Sequence, residues 1–332
     1  MRRLAALVLA SLAGCGRYAD FTLPKLDGGP PQVEMRWETS PAPVMVRGEG
    51  GEWDSTDTLN PSVVRFADRW WNLYSGYDGK AWHTGVATSA DGFAWRREGR
   101  ILSPDAQTWE GDAIAANGAA LVRGGEILYW YQAGDPPRIG LARSRDGRQW
   151  TRHGAPVLDL GPRGSWDERG VADPYAIERD GWIYLYFLGQ DRARRQRLGL
   201  ARSRDGIAWE KLGSNPILGL GEDGAFDENG LGEPAVWEAQ RLYWMLYTGR
   251  DRHENRKMGL AWSRDGAHWK RHRESAVFTG AEPWDSRVVC DATVAQDNGR
   301  WRMWFGGGDV PHPAENIHGQ IGHAYFTMEP AR

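Results

Sequence analysis

The feature that most constrains this chain is a segment that recurs four times: GVATSADGFAW, GLARSRDGRQW, GLARSRDGIAW and GLAWSRDGAHW. The aspartates of the four copies are Asp91, Asp146, Asp205 and Asp265, so the spacings are 55, 59 and 60 residues. A period of this size means that one supersecondary unit is copied along the chain, each copy burying its apolar face against its neighbours. Asp-Gly between two short apolar runs is a strong hairpin signal, because both turn residues accept positive φ. Each segment therefore reads as one strand before the Asp-Gly and one that starts at the tryptophan after it.

A second pattern lies upstream of each hairpin. It opens with an aromatic and an acid: Trp53-Asp54, Trp109-Glu110, Trp166-Asp167, Phe226-Asp227 and Trp284-Asp285. A short apolar strand follows in each case (LNPSVV, ANGAALV, ADPYAI, GEPAVW, CDATVA), then a turn and an aromatic-rich strand. The runs are short, β-branched or aromatic, and carry no helical period. Four antiparallel strands per unit of this length are propeller blades, so the expected fold is an all-β, five-bladed propeller over residues 37–328. The fifth unit ends one strand short at QIGHAYFTMEP, whereas Trp37 to Val46 resembles the outer strand of another unit. The N-terminal segment is therefore expected to complete the last blade and close the ring, which removes an exposed sheet edge. Of 19 tryptophans, Trp37, Trp95, Trp150, Trp209, Trp269, Trp53, Trp109, Trp166 and Trp284 sit at repeat-imposed positions. They are read as packing residues, and a sugar platform is sought among the others.

Acids and bases nearly balance, 44 against 41, and no basic stripe occurs, which argues against nucleic acid as a partner. Arg2 and Arg3 followed by an apolar stretch and Leu12-Ala13-Gly14-Cys15 read as a signal peptide over 1–14. The stretch is too short to span a bilayer. The end resembles the bacterial lipobox, which implies lipidation of Cys15, a membrane anchor and an extracytoplasmic location. Gly16 after the cysteine points to the outer membrane if the cell is Gram-negative. Residues 15–36 are Gly/Pro-containing and read as a tether. With Cys15 acylated, Cys290 has no disulfide partner and reads as a small buried apolar residue.

Aligning the five inner strands puts Asn60, Asn117, Asp173, Glu233 and Asp291 at one equivalent position. In a propeller that position faces one mouth of the central channel. Three carboxylates brought close must raise one another's pKa values, which lets a general acid and a general base coexist near neutral pH. A second set, His83, Arg138, Arg197, Lys257 and Gln320, lies two residues before the glycine of each third strand and is expected at the same face. His83, Arg138, Arg197 and Lys257 are candidate substrate contacts, the cations for an anionic group such as a uronate or phosphate. Pairing with the inner carboxylates is the alternative. His312, His318 and His323 match no zinc spacing. No cofactor motif occurs; the carboxylates leave room for a channel calcium, which nothing in the sequence supports.

The repeat, the Asp173-Pro174 and Glu233-Pro234 strand starts and the hairpin segments resemble the five-bladed glycoside hydrolases. These are the family 43 arabinosidase/xylosidase group and its invertase/levansucrase and family 130 relatives. The likeness covers roughly residues 37–326. It implies a carbohydrate substrate and places base or nucleophile, pKa modulator and acid on inner-strand carboxylates. Carried over by position, these are Asp173, Glu233 and Asp291, with Glu233 as proton donor. In family 43 the first blades carry acids where this chain has Asn60 and Asn117, which would join the substrate contacts. That departure opens a second reading, a non-catalytic glycan-binding lipoprotein. A sialidase-like propeller is a third, because the SRDG-x-x-W turns resemble the Asp-box but are one residue short of it. No protein partner is indicated.

Overall fold

The computed structural model describes residues 17–331, so the signal peptide and Cys15 lie outside the described residues. The strands are β1 (Arg17–Ala19), β2 (Val33–Thr39), β3 (Asp57–Phe66), β4 (Arg69–Tyr77), β5 (Trp82–Ser89), β6 (Arg96–Leu102) and β7 (Ala115–Arg123). They continue as β8 (Glu126–Ala133), β9 (Arg138–Ser144), β10 (Thr151–Arg152), β11 (Gly170–Arg179), β12 (Trp182–Gln190), β13 (Gln196–Ser203) and β14 (Trp209–Leu212). The last are β15 (Gly230–Ala239), β16 (Leu242–Arg250), β17 (Arg256–Ser263), β18 (Lys270–Arg271), β19 (Val288–Asp297), β20 (Arg300–Gly308) and β21 (Gln320–Pro330). One 3₁₀ turn, Pro283–Asp285, interrupts an otherwise all-β chain among the described residues.

Strands β3 to β6 pair antiparallel in order, as do β7 to β10, β11 to β14 and β15 to β18. The last meander is β19, β20, β21 and then β2, which pairs antiparallel with β21 from Val33↔Pro330 to Thr39↔Ala324. The N-terminal strand thus completes the last meander, although it starts at Val33 rather than Trp37. The first strands form a closed circle: β3 beside β7, β7 beside β11, β11 beside β15, β15 beside β19, and β19 beside β3.

The repeat residues explain the packing. In three meanders the opening aromatic (Trp53, Trp166 or Trp284) lies over a glycine of the second strand and one of the third. A Cβ at Gly76 or Gly85 would meet the Trp53 ring at 2.3 and 2.2 Å, and one at Gly189 or Gly199 would meet Trp166 at 2.1 and 2.4 Å. The acid after each aromatic is buried and, in four meanders, bonded to a cation of the outer strand: Asp54 to Arg97, Glu110 to Arg152, Asp167 to Lys211 and Asp227 to Arg271. Asp285 instead accepts from the Glu282 amide at 2.8 Å. Neighbouring meanders are pinned through the hairpins. The indoles of Trp130 and Trp304 donate to the carbonyls of Gly206 and Gly92, and the Tyr186 hydroxyl donates to that of Gly266.

Two expectations change. The Asp-Gly turns are wider than two-residue hairpins. Only the glycines take positive φ, while each aspartate uses its side chain to accept two following amides, as Asp205 does from Ile207 and Ala208. The span read as a tether is packed from Arg17 onward. β1 lies parallel to β14, Leu23 is buried, and the amides of Leu23, Leu26 and Gly28 donate to Asp265, Arg264 and Arg241. This strap crosses the turns at the far ends of the first and third strands, the face opposite the strand starts described next.

Candidate active site

Asn60, Asn117, Asp173, Glu233 and Asp291 share one unusual backbone state. Their φ values are 49°, 49°, 46°, 51° and 57°, in the left-handed region that side chains other than glycine's rarely enter. Each sits where the pairing of its meander's first two strands slips: between Leu59 and Ser62, Ala116 and Ala119, Ala172 and Tyr175, Gly232 and Ala235, and Cys290 and Thr293. A bulge re-aims a side chain out of the strand's alternation, and strain of this kind persists only where its surroundings fix it. Here it recurs five times and turns five polar groups into one cavity of about 340 Å³, which all five line. That volume lies in the range of small-molecule sites.

The two asparagines are tied to their neighbours. Asn60 Nδ2 donates to Asp291 Oδ1 at 2.6 Å, and the Cys290 thiol donates to Asp291 Oδ2 at 2.9 Å. The Asn117 amide donates to Ser75 Oγ at 2.9 Å, and that hydroxyl donates to Asn117 Oδ1 at 3.1 Å. The Asn117 carboxamide is thereby oriented with its NH₂ free to face Asp173. A carboxylate oxygen of Glu233, one of Asp291 and the Cys290 sulfur lie within 4.8 Å of one another.

This crowding sets the protonation. Burial, followed by the Glu233 charge, pushes Asp173 up to about 8 from an ordinary 3.8; Arg256, Asn117 and Arg250 pull against it without cancelling it. Asp291 rises well above its ordinary value through burial, then Glu233, then Asp173, opposed by the Cys290 hydrogen bond and Arg256. Burial also raises the Cys290 thiol well above its usual range, so Cys290 is an inert neighbour, as its small buried character implies. The Glu233, Cys290 and Asp291 atoms make a poor cage for calcium, which takes six to eight oxygens. One of the three is a protonated thiol, and the Arg256 charge bears directly on the group.

The remaining lining mixes apolar residues, Leu59, Trp82, Ile114 and Pro137 among them, with the polar Thr248, Arg250, Arg256 and Glu315. Trp82, stacked on Tyr77 at 5.0 Å, is a cavity-lining tryptophan outside the repeat-imposed set. Glu315 belongs to the β20–β21 loop, which is anchored from two directions. Arg256 Nη2 donates to the His312 and Pro313 carbonyls at 3.0 and 3.2 Å, and the buried Asp57 accepts from Asn316 and Gly319 at 2.6 and 2.7 Å.

His83, Arg138, Arg197 and Lys257 do not line this cavity. His83 Nε2 is 3.2 Å from Asp78, Arg138 bonds Asp159 at 2.7 Å, and Arg197 bonds Asp191 at 2.9 Å. Lys257 lines a separate cleft with Asn255, Thr279 and Arg287. Their chain predecessors Trp82, Pro137, Gln196 and Arg256 line the cavity instead. Successive side chains of a strand face opposite sides, so an offset of one residue exchanges every member of the set. Of the three histidines, His318 pairs with Asp309 at 2.7 Å. His323 is fully buried between Arg302 and the rings of Phe93, Trp304 and Tyr325.

The family model for the glycosyl hydrolases family 32 N-terminal domain matches residues 69–217. The curated protein Rv1502 of Mycobacterium tuberculosis, itself uncharacterized, is 27% identical over 241 residues, 64% of this chain and 75% of its own length. Among solved structures, a β-1,2-mannobiose phosphorylase from Listeria innocua superposes with a TM-score of 0.69 at 12% identity, covering 87% of this chain and 96% of its own. The Bombyx mori GH32 β-fructofuranosidase BmSUC1 gives 0.63 at 19% identity, covering 89% of this chain and 65% of its own. The chain has the β-propeller fold of these glycoside hydrolases.

Proposed function

We propose that this chain cleaves glycosidic bonds in oligo- or polysaccharides at the cavity described above. In this reading the five meanders are the five blades of a propeller running from about residue 33 to 330. One observation carries the reading: three carboxylates from three successive inner strands share one cavity, where burial and then the Glu233 charge raise the pKa values of Asp173 and Asp291. Asp173 then holds a proton at neutral pH and serves as general acid to the leaving oxygen. Glu233 supplies the negative charge for attack on the sugar carbon or for activation of water. Asp291, whose oxygens are taken up by Asn60 and Cys290, tunes the pair. This exchanges the roles of Asp173 and Glu233 relative to the assignment carried over by family position.

Phosphorolysis is a second reading, favoured by Arg250 and Arg256 on the cavity wall. Both readings are tested with a panel of aryl glycosides and plant and bacterial polysaccharides, with and without inorganic phosphate. Parent, Asp173→Asn and Glu233→Gln proteins are compared. Sugar release by the parent and a loss of at least 10²-fold in both variants is the expected result; release only with phosphate selects phosphorolysis. Glycan binding without turnover by the parent would make this a sugar-binding propeller.

The sequence motif at Cys15 further supports an extracytoplasmic lipid anchor, at the outer membrane in a Gram-negative cell. Because β1 begins two residues later and the strap crosses the opposite face, such an anchor would leave the cavity open away from the bilayer. Among the described residues no helix is long and apolar enough to cross a membrane. Partitioning of the full chain into detergent, lost on Cys15→Ser, is the expected outcome. Equal partitioning of both proteins would remove the anchor.

A further inference from the structure

Beside Arg250 Nε, which has the Glu254 carboxylate 3.2 Å away, the wall made by β15 and β16 holds two buried polar atoms with nothing to bond. Thr248 stands directly across from Gly232, the residue before Glu233. Its side chain lines the cavity and is 4% exposed, yet its hydroxyl has no hydrogen-bond partner. The Glu233 Oε2 atom is equally buried and equally unpartnered. Buried polar groups are nearly always paired, so a pair left open on one cavity wall calls for a ligand. The first meander gives the contrast. Its equivalent residue, Ser75, spends its hydroxyl on Asn117 of the neighbouring strand, whereas Thr248 makes no such bond to Asp291.

We propose that Thr248, together with Glu233 Oε2, selects a free hydroxyl group of a neutral sugar. This rests on the cavity being the glycoside site. The chemistry of the two atoms narrows the ligand. A carboxylate oxygen can only accept, so its partner must donate, and the threonine hydroxyl can donate in return. A sugar hydroxyl does both: it donates to Glu233 Oε2 and accepts from Thr248 Oγ1. A uronate or phosphate oxygen at the same place could only accept and would meet the Glu233 charge. The other Glu233 oxygen stays open to the reacting centre, and Trp82, which also lines the cavity, offers a surface for the apolar face of the ring.

The test uses Thr248→Val, which keeps the shape and removes the hydroxyl, and Thr248→Ser, which restores it. The aryl glycoside turned over best by the parent is assayed beside its monodeoxy analogues. Thr248→Val should lower kcat/KM by 10- to 100-fold on the full substrate, with Thr248→Ser within about fivefold of the parent. One deoxy analogue should be turned over equally by parent and Thr248→Val. A Thr248→Val protein within twofold of the parent, or an equal loss on every analogue, would overturn the inference while leaving glycoside cleavage standing. Calorimetric titration with neutral hexoses and pentoses and the matching uronic acids covers a parent that binds without turnover. Neutral sugars should then bind, and more weakly to Thr248→Val; preferential binding of the uronic acids, or no binding to any sugar, would overturn it.

Discussion

Asn60 and Asn117 occupy the same backbone position as Asp173, Glu233 and Asp291, with the same left-handed φ at the same bulge. Yet the two halves of the ring do different work. The asparagines hold neighbours through bonds at 2.6 to 3.1 Å, whereas burial and mutual charge raise the pKa values of Asp173 and Asp291. The repeat thus fixes where a side chain points, and the residue type decides whether that place can carry a proton or only a hydrogen bond. An amide can occupy a crowded position at no electrostatic cost, whereas a fourth or fifth carboxylate would add to a group that already cannot ionise fully.

The strongest test of this division compares Asp173→Asn with Asn117→Ala. In the proposed mechanism the first removes the proton of the general acid and should lower kcat/KM by about 10³-fold. The second leaves the acid in place with one orienting partner fewer and should cost only about tenfold. Steady-state kinetics on one aryl glycoside decides; equal losses would erase the distinction between the halves.

Much of this division was legible in the sequence. The spacing of the inner strands brings Asn60, Asn117, Asp173, Glu233 and Asp291 together because equivalent repeat positions share one geometry. The bulge itself left no pattern, since Pro61, Pro174 and Pro234 follow only three of the five residues. The second ring is offset for a definite reason: a third-strand glycine fixes position along the strand but not which side a neighbour faces, and Gln196 and Arg256, not Arg197 and Lys257, reach the cavity. The acid after each opening aromatic was visible as a pattern, but its cation comes from an outer strand some 40 residues on, as Arg271 does for Asp227. The strap over residues 17–32 has no periodicity, and its backbone bonds to distant turns cannot be read from composition.

Converting one half toward the other is the next sharpest step. Asn60→Asp replaces the donor 2.6 Å from Asp291 Oδ1 with a second acid. The new pair must share a proton, and the added negative charge should hold the Asp173 proton more tightly. Activity at pH 7 should fall about 10-fold or more, and the basic limb of the pH–rate profile, expected near 8 in the parent from Asp173, should move upward. A basic limb that stays in place would show that Asp291 does not communicate with Asp173.

Stability offers a test that does not depend on turnover. Folded Asp173 keeps its proton up to about 8, while the unfolded chain releases it near 3.8. Between those values the unfolded state binds fewer protons than the folded one, so this group's contribution to stability falls as pH rises and levels off above 8. Asp173→Asn removes that penalty. The variant should therefore melt several degrees above the parent at pH 8, the shift from 3.8 to about 8 setting a ceiling of ~6 kcal/mol on the gain, and the difference should vanish near pH 4. Asn117→Ala should show no such pH-dependent gain, because no titrating group is lost. A Tm difference for Asp173→Asn that is flat from pH 4 to 8 would mean that the carboxylates do not hold one another's protons.

The smallest effect belongs to Ser75, which keeps one asparagine in place. Ser75→Ala removes both the acceptor for the Asn117 amide and the donor to its side-chain oxygen. A neutral hydrogen bond contributes about 1 kcal/mol, so the free Asn117 carboxamide should cost about two- to fivefold in kcat/KM. The loss should enter through kcat more than KM if the amide steadies Asp173 during proton transfer rather than binding sugar. A change confined to KM would turn Asn117 into a substrate contact and blur the line between the holding and reacting halves of the ring.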